Sequence, residues 1–331
     1  MEAMRKKERS LFFFITGLAL SLGLGVFAAQ AAYPDKPVQV LVPYGAGGET
    51  DIAVRFLASV LPQFLGQSLV VINKPGASGA ICFEYVSKQV KPDGYTLMVA
   101  AIGCNSIVPA QNLKLPFKFD DLTFIARTQF NPAILAVRAD SPHKTLNDLL
   151  EYIRKNPKKA KFPTAGVQTM QHVGTLVLMK SAKIPTDYVS AVHYDSGAEV
   201  TFSLMRGDVD FCYNNSPTVI PQVKAGKLRA LMVPAKLKEL PDIPTSEQLG
   251  FPEVDIVGWR GICGPPGLPE PVINFWAEAV KKTLEHQSWQ KMVENIGDIP
   301  AYLGPEDFRK FVTKEVQKYR DIFTELNLLI K

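Results

Sequence analysis

Pro37-Val38-Gln39-Val40-Leu41-Val42-Pro43-Tyr44-Gly45-Ala46-Gly47-Gly48-Glu49-Thr50-Asp51 is the stretch on which the fold turns. Its first half is rich in β-branched residues and bounded by prolines, the pattern of a short buried strand. Its second half, residues 44–51, is a glycine-rich turn. After it Ala53, Phe56, Leu57, Val60, Leu61 and Phe64 recur at helical spacing. The order then repeats. Gly66-Gln67 stops the helix, residues 69–72 read as a strand, and Asn73-Lys74-Pro75-Gly76-Ala77-Ser78-Gly79 is a second glycine-rich loop. A helix is predicted around 81–89, then the turn Lys91-Pro92-Asp93-Gly94 and a strand over 95–101. Strand, loop and helix in alternation predict a parallel α/β sheet.

The pattern restarts after about residue 130. A strand is predicted at 134–137, and a helix at 145–155 with Leu146, Leu149, Leu150 and Ile153 on one face. Thr164-Ala165-Gly166-Val167 turns into a helix running to about 181. Residues 188–194 read as a strand, 197–206 as a helix, and 209–213 and 228–233 as strands. The cluster Gly264-Pro265-Pro266-Gly267-Leu268-Pro269 punctuates the chain, and two amphipathic helices finish it. The first carries Ile273, Trp276, Ala277, Val280 and Leu284, the second Phe308, Phe311, Val312, Val316, Tyr319 and Phe323. Two α/β lobes follow, as a length of 331 residues suggests.

The amino end is an address. Residues 1–10 carry Arg5, Lys6, Lys7 and Arg9 against Glu2 and Glu8, residues 11–27 are apolar, and Ala28-Ala29-Gln30-Ala31 offers an A-x-A cleavage site. This is the pattern of a secretory signal peptide at 1–31, with an N-terminal membrane anchor as the alternative. Export to the periplasm with cleavage near Ala31 is expected. With part of the net charge of +5 spent there, the remainder is too weakly basic to point to nucleic acid.

Catalytic patterns fail in turn. Cys82, Cys104, Cys212 and Cys263 are scattered, with neither a C-x-x-C pair nor a histidine at ligand spacing, so no metal is expected. These cysteines read equally as small buried hydrophobes or as one or two disulfides. A Walker loop and a G-x-S-x-G elbow are absent, and Asp51 replaces the last glycine of a dinucleotide fingerprint. No enzyme and no cofactor are expected. What remains is two glycine turns, Tyr44, Gly45, Ala46, Gly47, Gly48 to Asp51 and Thr164, Ala165 to Gln168 and Thr169, each opening a helix. Free backbone N–H groups at the positive end of a helix accept carboxylate or phosphate oxygens. Each turn also reads as a plain strand-to-helix connection, Asp51 as a helix cap or a ligand contact, and His172 as a cleft residue or a backbone cap.

Several segments together resemble a family. They are Tyr33-Pro34-x-Lys36-Pro37, Gly47-Gly48-x-x-Asp51-x-x-x-Arg55, and Leu65-Gly66-Gln67 running into Asn73-Lys74-Pro75-Gly76-Ala77. Pro92-Asp93-Gly94-Tyr95-Thr96-Leu97, Gly207-x-Val209-Asp210, Lys224 to Leu231 and Pro241-Asp242-x-Pro244-Thr245 complete the series. The sequence resembles the Bug (TctC-like) periplasmic solute-binding proteins of tripartite tricarboxylate transport systems.

That resemblance implies a two-lobed, type II-like "Venus flytrap" α/β fold. Lobe 1 is expected at 32–131 and 255–331, and lobe 2 at 132–254. It implies a monomer that holds a small organic acid between the lobes and hands it to cognate membrane permease subunits. An alternative with the same fold is presentation of the ligand to a sensor kinase. Carried onto this chain, one ligand carboxylate sits on the turns at 44–51 and 164–169, with His172 following. The far end of the ligand is expected to face the stretches 101–106 and 194–197, Ile102, Asn105 and Asp195 among them. Asp195, Ser196, Glu199, Gln168 and Cys82 depart from the family's usual residues. An acid at 195 would penalise a second ligand carboxylate if it faced the pocket, and would do nothing if it pointed to solvent.

Overall fold

Proline-bounded Val38–Val42 is the first strand (β1), and Glu49–Val60 (α1) and Pro62–Leu65 (α2) follow it. Gly66 ends α2 in the left-handed conformation (φ 74°) that favours glycine. Next come Leu69–Asn73 (β2), Ala80–Gln89 (α3), Thr96–Ala101 (β3), a π-helical turn at Gly103–Ile107 and Val108–Gln111 (α4). The structure is a computed structural model and describes residues 33–167 and 169–330. The expected signal peptide and Gln168 lie outside the described residues.

The second half opens with Thr123–Arg138 (β4), Leu146–Lys155 (α5), Ala160–Thr164 (β5), Met170–Ser181 (α6) and Val189–His193 (β6). Gly197–Arg206 (α7), Phe211–Asn215 (β7), Ser216–Lys224 (α8) and Leu228–Met232 (β8) continue it. Val257–Gly264 (β9), Glu270–Glu285 (α9), Gln287–Asn295 (α10), Ile299–Leu303 (β10) and Pro305–Glu325 (α11) complete the chain. Local signals set many of these boundaries. At α5 the Thr145 hydroxyl accepts the Asp148 N–H, and Asp148 accepts the Thr145 N–H, a reciprocal cap.

The sheet is mixed, which corrects the expectation of a parallel one. β1 pairs in parallel with β2 and β3, but β9 runs antiparallel to β3 and to β4, and β10 runs antiparallel to β4. The strand expected at 134–137 is the last part of sixteen-residue β4. Arg127, Thr128, Gln129 and Asn131 interrupt its apolar pattern, and only pairing with β9 reveals them as strand. Past Pro132, β4 changes partners: residues 133–138 pair antiparallel with β7 and β8. One strand thus carries the backbone between two groups of strands. β5 and β6 form a separate parallel pair.

The closing helix packs as its stripe predicts. Phe308, Val312, Val316, Tyr319 and Phe323 are buried, and the Phe308 ring sits edge-on to Phe124 and Trp259 at 5.2 and 5.4 Å. Each such burial contributes about 1.5–3 kcal/mol. All four cysteines are buried and free, and burial pushes the Cys104 and Cys212 thiols up to about 12. They act as small hydrophobes. Among the described residues no helix is long and apolar enough to cross a membrane. Among the same residues no group of three or more His, Cys, Asp or Glu side chains is placed to hold a metal ion.

Candidate functional site

The loop from β1 to α1 is held from behind. Asp51, third residue of α1 and buried, accepts the Gly47 N–H at 2.9 Å and Arg55 Nε at 2.8 Å on one oxygen. Asn73 Nδ2 donates to the other oxygen and to the Tyr44 carbonyl, each at 3.0 Å. Burial alone would raise the Asp51 carboxyl, but the hydrogen bonds from Arg55, Gly47 and Asn73 outweigh it and hold it below its ordinary value. Gly47 needs its freedom here, at φ 75°. With Asp51 spent on the loop and Gly48 at the N-cap, the first amides of α1 have no side-chain cap.

The loop from β5 to α6 is built by threonines. Thr164 Oγ1 accepts the Gly166 N–H at 3.0 Å and lies 2.8 Å from His193 Nδ1, while Thr169 Oγ1 donates to the Gly166 carbonyl at 2.8 Å. Thr169, the N-cap of α6, makes no side-chain cap bond. The two loops meet other segments at close range. A Cβ on Gly45 would lie 3.2 Å from the Asp195 carbonyl, and one on Gly166 (φ 126°) would lie 2.5 Å from Ser78 Oγ.

Between the loops lies a small cavity of about 20 Å³. Tyr44 and Glu49 line it from the first loop and helix, and Ala165, Thr169, Met170 and Gln171 from the second. Ala101, Ile102, Gly103, Gly197, Asn215 and Arg260 complete its lining. A wider cleft of about 410 Å³ shares Tyr44 and Ala165 with it and is bordered by 75–79, Gly166, Val167 and 193–195.

Of the residues singled out from sequence, Tyr44, Ile102, Ala165 and Thr169 border the inner cavity. Gly45, Ala46, Gly47 and Gly48 form the backbone of the first loop. Thr164 and Asp51 are absorbed in holding their loops. Asn105 is buried, its Oδ1 accepting the Ala101 N–H at 2.9 Å. The His172 ring packs 6.0 Å from Phe162, and burial, with His193 beside it, pushes its pKa down to about 4. Asp195 is exposed on the border of the outer cleft. Gln168 lies outside the described residues.

Sequence reasoning missed the most polar part of the site. Glu49 Oε1 accepts Arg260 Nη2 and Asn215 Nδ2, each at 3.0 Å. Arg260 reaches it from β9, Asn215 from the end of β7. Arg260 was detectable as a cation inside the otherwise apolar run VGWRGICG, but Glu49 occupies an unassigned position of the Gly47-Gly48-x-x-Asp51 pattern.

A sequence profile described as "Tripartite tricarboxylate transporter family receptor" matches residues 53–328. The chain belongs to this family. Solved structures agree. The periplasmic binding protein BugD is 26% identical with a TM-score of 0.85, covering 90% of this chain and 100% of that one. MatC from Rhodopseudomonas palustris with bound malate is 25% identical with a TM-score of 0.81, covering 88% and 99%. Another R. palustris protein, with adipate, is 26% identical with a TM-score of 0.83, covering 88% and 97%. This receptor therefore has the two-lobed α/β fold of periplasmic solute-binding proteins, a family of receptors and not of enzymes.

Proposed function

We propose that this receptor takes a small organic carboxylate into the cleft between residues 44–48 and 165–169 and delivers it to a tripartite tricarboxylate-type membrane transporter. The observation that carries the reading is the convergence of two helix N-termini without side-chain caps, those of α1 and α6, on one cavity. Their N–H groups and positive dipole ends suit a carboxylate. Relatives that carry malate and adipate support the ligand class.

The proposal extends to the rest of the chain. Lobe 1 comprises 32–131 and 255–331 and lobe 2 comprises 132–254, with β4 passing between them. The mature chain is a periplasmic monomer beginning after Ala31. A ligand that bonds both lobes stabilises their closed arrangement.

A thermal-shift screen of the mature protein over mono-, di-, tri- and aromatic carboxylates tests the ligand class. A true ligand at a hundred times its Kd adds about 2.7 kcal/mol of stability and raises the midpoint by several degrees. A panel without any shift would overturn the reading. Amino-terminal sequencing of the protein recovered from a periplasmic extract tests the cleavage site.

A further inference from the structure

The carboxylate of Glu49 already sits where the cleft is best equipped to hold an anion. It accepts hydrogen bonds from the guanidinium of Arg260 and the amide of Asn215, and all three residues are buried, at 8%, 2% and 0% exposure. Its second oxygen lies against Gly197, the first residue of ten-residue α7, so closely that a Cβ at 197 would collide with it. A cation, an amide donor and a helix N-terminus are the groups that recognise a ligand carboxylate. Here the Arg260 Nη2 and Asn215 Nδ2 donors are met from within the chain.

We propose that Glu49 is a tethered carboxylate that fills this anion position and thereby restricts the receptor to ligands carrying a single carboxylate. The inference rests on the carboxylate-receptor reading given above and concerns only which carboxylates are admitted. Charge is the first argument. The Arg260 cation is already paired, so a second ligand carboxylate would meet the Glu49 anion without an unpaired cation to offset it. Position is the second argument, because Glu49 lines the same cavity as Tyr44, Ala165 and Thr169, where the ligand carboxylate is proposed to sit.

Asp195, the acid that the sequence suggested for this role, is exposed and stands only on the border of the outer cleft. The charge that screens ligands is on Glu49.

The test titrates the mature wild type, Glu49→Ser and Glu49→Gln with acid pairs that differ by one carboxylate: lactate against malate, and hexanoate against adipate. Thermal shift and calorimetry give the readouts. In the wild type the monocarboxylate of at least one pair binds at least tenfold more tightly than its dicarboxylate partner. In Glu49→Ser, which frees both the space and the Arg260 cation, the dicarboxylate gains at least tenfold. Should Glu49→Ser fail to fold, Glu49→Gln keeps the acceptor for Arg260 and Asn215 while removing the repelling charge, and it moves in the same direction. Equal binding of both pair members by the wild type, or an unchanged preference in the variants, overturns the role of Glu49 and leaves the receptor reading standing. Absence of binding by any acid to any of the three proteins overturns both.

Discussion

The first strand-to-helix loop, residues 43–48, leads into a helix whose opening turn carries Glu49 and Asp51, whereas the second, residues 165–169, leads into a helix whose opening turn carries no acid. Both turns use glycine at positive φ, Gly47 and Gly166, and both bring helix amides to one cavity. Their electrostatics differ. In the first, Asp51 locks the loop and Glu49 reaches across to Arg260, so the positive groups near α1 are met by the chain's own carboxylates. In the second, threonine hydroxyls shape the turn and add no charge. Similar backbone geometry thus gives a side occupied by the chain's own carboxylates and an open side without them.

Breaking the occupied side should have the largest effect. Arg260→Met leaves the buried Glu49 carboxylate without its cation, and we expect a loss of about 3–5 kcal/mol in urea unfolding. A loss below about 1 kcal/mol would show that Glu49 turns to solvent and that the two loops are alike. Next comes Gly48→Asp. Aspartate is a good N-cap for α1, so stability should hold while a second acid beside Glu49 lowers affinity for the best acid of the screen by about a hundredfold. Retained micromolar binding in calorimetry would remove the first loop from the site.

The open side is probed by Gly166→Ala, which forces a Cβ toward Ser78 at a backbone φ of 126°. Strain of about 1–3 kcal/mol and a roughly tenfold weaker ligand are expected, and restoration by the additional change Ser78→Gly would trace part of it to the clash. The smallest effect is on pH dependence. His172 on α6 is held down to about 4 by burial, so it stays neutral in the fold while the unfolded chain protonates near 6.5. Its contribution therefore rises with pH from about 4 to 6.5. Asp298 is pushed up to about 7 by burial, against the hydrogen bonds it accepts from Ser216 and Gln129, so its contribution is present at low pH and lost as pH rises through 7. The two slopes oppose each other. Urea midpoints from pH 4.5 to 7.5 should rise with pH in Asp298→Asn and fall in His172→Phe.

Much of this was legible in the sequence, for reasons that can be named. The proline-bounded run at 37–43, the stop at Gly66 and the stripe from Phe308 to Phe323 are local signals, and the structure places β1, the end of α2 and α11 on them. β4 was legible only at its end, because its polar residues find partners on β9, more than a hundred positions away. The two glycine turns were legible as helix openings. Their charge was not: Asp195 looked like the acid of the cleft, while Glu49 hid in the turn that was read first.

The sequence by itself determined the alternation of strands and helices, the glycine turns and the family, because each is written in neighbouring residues. Only the tertiary structure decided which charges line the inner cavity. Glu49, Asn215 and Arg260 come from three distant segments, and a carboxylate's role depends on the cation and the helix end that meet it in space.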